Sequence, residues 1–135
     1  LFPSTTLFRS FTEDYAIRLQ NVQIECTDAL RIINSRDTEK SFFYCDPPYF
    51  NSDMGHYDGY SIDDFEALLK LLQSITGKFL LSSYPSPILK KYAKANGWEQ
   101  MEIEQTVSVS ASKTNLKKKI EVLNFNYPLP NQIPV

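Results

Sequence analysis

The sequence reads as an α/β fold, a mostly parallel sheet with a terminal antiparallel hairpin, and three observations predict it. Residues 21–26 (Asn-Val-Gln-Ile-Glu-Cys) alternate polar and apolar, a helix signal follows, and Phe42-Phe43-Tyr44-Cys45 is an unbroken apolar run. Strand, short helix, strand is the opening of a parallel βαβ unit. A long amphipathic helix pattern then leads to a second apolar run, Phe79-Leu80-Leu81-Ser82-Ser83. Finally, residues 98–110 alternate strongly and residues 120–127 are apolar, the pattern of an antiparallel pair with one wet face.

Composition bounds the function classes. A chain of 135 residues is one domain's worth, long enough for a real core. The apolar fraction of 42% and charged fraction of 22% are those of a globular protein, and no apolar run approaches a membrane span. Cys26 and Cys45 fall in expected strands without framework spacing, so they read as buried thiols and point to a cytoplasmic protein. One histidine, His56, makes a zinc site improbable, and as a loop residue it reads as solvated. The net charge of −2 gives no global pull toward nucleic acid, so any such binding rests on a local patch.

Each element has a local justification. Residues 1–10 have no clear period, no cap and no secretory pattern, and read as a non-native leader outside the fold. Residues 12–19 can form a short helix. Thr27 or Asp28 can cap the turn starting at Ala29. Ser61 caps a helix over residues 62–76, in which Phe65, Leu68, Leu69, Leu72 and Ile75 form one stripe, and Gly77 is expected to end it in the left-handed conformation. Ser86 and Pro87 start a further helix that stops at Asn96-Gly97. Residues 51–60, rich in Gly, Asp and Tyr, form a loop long enough to be a flap.

The stretch with chemical content is Asp46-Pro47-Pro48-Tyr49-Phe50. Two prolines lack N–H donors and fix φ, so the chain must leave the sheet, and Asp46 before them is held extended. A carboxylate then stands at the carboxyl end of a central, doubly covered strand, where open sheets bind ligands. Proline carbonyls with no ladder partner and an aromatic ring complete a site for a flat, amino-bearing ligand. Such a tetrapeptide is also a rigid turn in ordinary domains; the strand before it and the αβ pattern after it favour a functional site.

With those residues in view, residues 21–127 resemble the Dam-like DNA adenine-N6 methyltransferases. Phe43-Tyr44-Cys45-Asp46-Pro47-Pro48-Tyr49 is similar to their catalytic motif, residues 112–121 to their basic loop, and Val122-Leu123-Asn124-Phe125-Asn126-Tyr127 to their last strand. The resemblance implies a Rossmann-like class I fold that uses S-adenosyl-L-methionine, with a seven-stranded sheet and a reversed last hairpin. It implies that Asp46 and the Pro47 carbonyl, with Pro48 behind them, hold the target amine, and that Tyr49 stacks on a flipped adenine beside Phe50. Asp28 would lie at the cofactor's adenine end and Asp46 would border the cofactor. Lys113, Lys117, Lys118 and Lys119 would contact phosphates, although a bare charge run is usually a solvated loop. The implied partner is double-stranded DNA, with a cognate restriction endonuclease where the two form one system; no metal or membrane is expected.

Two features depart from the family. A Phe-x-Gly-x-Gly cofactor turn is missing, since the glycines are Gly55, Gly59, Gly77 and Gly97, and so is a target-recognition region. Residues 11–135 are therefore expected to be the carboxyl-terminal part of a catalytic domain, inactive alone. An RNA or protein-amide N-methyltransferase and a non-catalytic nucleic-acid-binding remnant remain as alternatives. An intact Asp46-Pro47-Pro48-Tyr49 argues against the remnant.

Overall fold

Local signals set the helices. The computed structural model describes residues 13–50, 59–107 and 117–128. Helix α1 is Glu13–Leu19 and α2 is Ala29–Arg36, whose first turn is capped by the Asp28 carboxylate accepting from the Arg31 N–H at 3.0 Å. Helix α3, Ile62–Leu72, opens with a full capping box: Ser61 accepts from the Asp64 N–H, and Asp64 accepts from the Ser61 N–H. Helix α4, Pro87–Asn96, starts on Ser86 and ends at Gly97 with φ of 65°, a left-handed cap that suits glycine.

Four strands form one mixed sheet: β1 (Phe42–Cys45), β2 (Lys78–Ser83), β3 (Glu99–Val107) and β4 (Lys117–Phe125), in the order β1-β2-β4-β3. Only β1 and β2 are parallel; β4 runs antiparallel to both β2 and β3. The expected closing hairpin is present, but the expected mostly parallel sheet is not found among the described residues. One of three strand pairs is parallel, because the hairpin inserts β4 next to β2.

Register puts Phe43, Cys45, Phe79, Leu81 and Val122 on one face. These are the strand members of the core, packed against Leu30 and Ile33 of α2, Phe65, Leu68, Leu69 and Leu72 of α3, and Leu89, Tyr92 and Ala93 of α4. Trp98 closes this layer with its ring edge-on to Phe79 at 4.9 Å. Helices α2 to α4 thus cover one face of the sheet.

Several expectations are corrected here. Residues 21–26 form no strand: they make no ladder with any described strand, and Ile24 is 87% exposed. Alternation alone does not supply a ladder partner. Cys26 is exposed, not buried; Cys45 is half-buried, and both are free thiols. Strand β1 is an edge, not a central, doubly covered strand, with Phe42 56% and Tyr44 63% exposed. Helix α3 stops at Leu72 rather than at residue 76.

Gly77 is not a left-handed cap; among the described residues positive φ occurs at Gly59 and Gly97. Its role is close approach. An added Cβ would lie 2.9 Å from both the Ser41 and Thr38 carbonyl oxygens and 3.1 Å from the Asp37 carboxylate. Asp37 accepts from the Thr76 N–H (2.7 Å) and the Gly77 N–H (2.8 Å), bonds that hold its carboxyl below the usual range. Across the strand start, the Asn126 amide accepts from the Phe79 N–H and donates to the Gly77 carbonyl, both at 3.0 Å.

Gly77→Ala is therefore expected to destabilise the fold by about 1–3 kcal/mol, as overpacking against fixed backbone does. Urea unfolding followed by circular dichroism checks it; an unchanged midpoint would show that the segment yields freely.

Candidate functional site

Asp46 follows the last residue of β1, and the prolines after it end the ladder as their chemistry requires. Its side chain is exposed and forms no ion pair among the described residues. Its one hydrogen-bond neighbour is the Tyr49 hydroxyl, 3.2 Å from Oδ1. No donor among the described residues reaches the carbonyls of Pro47 and Pro48. An ionised carboxylate and carbonyls of this kind are pure acceptors, matched to a ligand that brings N–H bonds.

Tyr49 is where groups from three strands meet: Asp46 just after β1, Ser82 of β2 and Glu121 of β4. Besides Asp46, its hydroxyl lies 3.1 Å from Ser82 Oγ and 2.5 Å from Glu121 Oε1. Continuing the registers Cys45↔Leu81 and Ser83↔Val122 by one residue sets Asp46 level with Ser82 and Glu121 level with Tyr84. All four then share the sheet face opposite the helices. The Tyr84 ring leans on Tyr49 with centroids 4.3 Å apart at 49°. Burial, then the bond to Glu121, pushes the Tyr49 phenol above its ordinary pKa, so it stays protonated.

A cavity of about 770 Å³ runs along the free edge of β1. Asp28 and Asp46 both line it, with Glu25, Asp64, Leu30, Tyr44, Pro47 and Tyr60 between them. No lysine or arginine among the described residues lines it, so its polar wall is acidic and the rest apolar. Glu25 is held by Arg36 at 2.7 Å, and Asp64 is engaged in the cap of α3. Tyr60 is half-buried here, and burial followed by the charges of Asp64 and Cys45 pushes its phenol up to about 12. It remains a donor at neutral pH.

The structure brings Asp28, Asp46, Pro47 and Pro48 to one cavity, while Tyr49 faces the strand-end cluster beside it. The Phe50 ring packs on Phe65 at 5.2 Å, a core contact where a nucleic-acid contact was expected. Lys113, His56 and most of the expected flap lie outside the described residues. Lys117 and Lys118 open β4 opposite Val107 and Thr106. Lys119 Nζ lies 3.0 Å from the Tyr84 hydroxyl and 5.4 Å from its ring centre. That position is off the rim of the ring, so the contact is a hydrogen bond and not a face-on cation–π pair. Sequence reasoning missed Ser82, Tyr84 and Glu121. A lone acid inside a basic run, placed on an apolar strand, was the available signal for Glu121. Among the described residues no cluster of ligating side chains could hold a metal ion, and no helix is long and apolar enough to cross a membrane.

The family model described as D12 class N6 adenine-specific DNA methyltransferase matches residues 7–109, three quarters of the chain. That span contains Asp28 and the whole Asp46–Phe50 segment. No curated protein matches the chain.

The two thiols offer a check on the cavity wall. Burial pushes the Cys45 thiol up to about 11, whereas Cys26 is exposed. In iodoacetamide at pH 8, Cys26 is expected to alkylate first and Cys45 at least about a hundredfold more slowly, with the difference lost in urea. Equal native rates by mass spectrometry would show that the wall around Cys45 is open.

Proposed function

The chain belongs to the D12 class N6 adenine-specific DNA methyltransferase family, whose reaction is methyl transfer to the exocyclic N6 of adenine in DNA, and from that premise we propose that Asp46 and the Pro47 carbonyl grip the target amine. The observation that carries this reading is the exposed Asp46 carboxylate, without an ion pair among the described residues, beside proline carbonyls that no described donor reaches, on the wall of the cavity. The adenine amino nitrogen is a poor nucleophile because its lone pair is delocalised into the ring. Two acceptors aimed at its two N–H bonds favour a pyramidal nitrogen and free that lone pair. They work as preoriented dipoles, without prior deprotonation.

Tyr49 supplies a ring for the flipped base, with Tyr84 supporting one of its faces. Base extrusion costs a few kcal/mol, and stacking returns about 1–3 kcal/mol of it. The charge-assisted bonds to Asp46 add about 1.5–3 kcal/mol. No single contact suffices, which is why the motif clusters them. Pro48 holds Tyr49 and Asp46 at fixed separation through its restricted φ.

The donor set of the cavity suits S-adenosyl-L-methionine. Asp28 and Asp46, which form no ion pair among the described residues, favour a positively charged sulfonium, and the apolar residues favour a purine. Asp28 would hold the adenosine end and Asp46 would border the methyl group. When bound, the cofactor supplies an electrophilic methyl group on sulfur. Strand order β1-β2-β4-β3 with its reversed hairpin supports a Rossmann-like class I fold for this domain. The lysines that open β4 would contact phosphates, a contact that weakens steeply with salt.

In the complete, active enzyme, Asp46→Ala and Asp46→Asn are expected to lower kcat by about 10²–10³-fold or more, with cofactor affinity largely kept. Incorporation of tritiated methyl into unmethylated duplex DNA, beside calorimetric titration of S-adenosyl-L-methionine, tests this. Strong residual turnover in either variant would remove Asp46 from the role.

A further inference from the structure

One phenol oxygen at the end of β1 faces two carboxylates, and it has a single proton to give. Glu121 Oε1 is at 2.5 Å, within the range of a charge-assisted O–H···O⁻ bond; Asp46 Oδ1 is at 3.2 Å, beyond the usual O–H···O distance. The proton therefore points to Glu121. Ser82 Oγ, at 3.1 Å and on the same face, can donate its own proton to the phenol oxygen and fix that orientation. Glu121 comes from β4, in a segment beyond the span matched by the family model. We propose that Glu121 is a positioning residue that draws the Tyr49 hydroxyl proton away from Asp46, so that the Asp46 carboxylate meets the adenine amine with its acceptor oxygens unspent.

The consequence is chemical. Without a carboxylate at this distance on residue 121, the Tyr49 hydroxyl turns to its remaining carboxylate, Asp46, since a neutral amide oxygen is the weaker acceptor. A phenol donating into Oδ1 occupies one lone pair and withdraws charge from the group that must accept from the amine. The loss then falls on the transition state and hardly on binding, since the ring of Tyr49 keeps its place beside Tyr84. Because the effect runs through a single hydroxyl, deleting that hydroxyl also deletes the dependence on Glu121. A merely structural Glu121 has no such coupling.

This inference rests on the acceptor role of Asp46, and the test separates the two. The first arm uses the chain labelled with ¹³Cζ-tyrosine, with the Tyr49 resonance assigned by its loss in Tyr49→Phe. Glu121→Gln is expected to move that resonance and Asp46→Ala to leave it nearly unchanged; the reverse pattern would overturn the proposal. Glu121→Asp, which withdraws the charge by one methylene, gives the same reading where the amide is not tolerated. The second arm measures methyl transfer by the enzyme. Glu121→Gln is expected to lower kcat about tenfold, the equivalent of one misdirected hydrogen bond, with KM for DNA within about twofold. In the Tyr49→Phe background the same substitution should change kcat by less than about twofold. Equal losses in both backgrounds would make Glu121 a structural residue. Full turnover in Asp46→Ala would instead bring down the acceptor reading itself.

Discussion

The level at which β2 sits between its neighbours is the constraint on which the site depends. Its start is clamped from three directions. Asp37 takes the N–H groups of Thr76 and Gly77, the Lys78 N–H reaches the Ser41 carbonyl at 2.9 Å, and the Asn126 amide brackets Gly77 and Phe79. With that end fixed, parallel pairing sets Cys45 opposite Leu81, and antiparallel pairing sets Ser83 opposite Val122. Side chains alternate with a period of two, so a slip of one residue would turn Ser82 to the helix side and separate it from Tyr49. Gly77 lets the clamp close because a methyl group there would meet two carbonyl oxygens.

The clamp places a carboxylate where water reaches it. Asp46 is solvated in the free protein, and no cation among the described residues forms an ion pair with it. Its acceptor strength becomes valuable when a ligand displaces that water, since the same charge acts more strongly in a drier site. The prolines serve this arrangement by omission. Lacking N–H groups, they cannot turn a donor toward the carboxylate or continue the ladder. Among the described residues no donor reaches the carbonyl beside Asp46.

Much of this was legible in the sequence because it is local. Ser61 with Asp64, Ser86 with Pro87, and Gly97 carry their own geometry, and each helix begins or ends on them. Asp46-Pro47-Pro48 ends β1 for the same reason. What failed depended on partners. Alternation in residues 21–26 describes a strand only if another strand lies beside it, and the apolar run of β1 could not say which faces were covered. Gly77 looked like a left-handed cap, yet a glycine needed for close approach has the same sequence signature. Glu121 was missed since its partner, Tyr49, is 72 residues away and only the fold joins them. The lysines were read as a loop, whereas Lys117 to Lys119 are already in β4 and paired with β3.

Strand direction accounts for the charge layout of the site. β1 and β2 present their carboxyl ends, and Asp46, Ser82 and Tyr84 follow from there. β4 runs the other way, so its amino end, with Lys117, Lys118 and Lys119, comes to the same edge. Had β4 been parallel to β2, its nine residues, at about 3.4 Å each, would have carried the lysines roughly 25–30 Å to the opposite edge. Reversal also sets Glu121, two residues after Lys119, at the height of Tyr49. Asp46 and Lys119 therefore come to one edge of the sheet from β1 and β4, with β2 between them, and Lys119 donates to the Tyr84 hydroxyl rather than to Asp46. The Tyr84 ring that packs on Tyr49 thus carries at its hydroxyl the Lys119 ammonium, which is engaged there and not at the carboxylate.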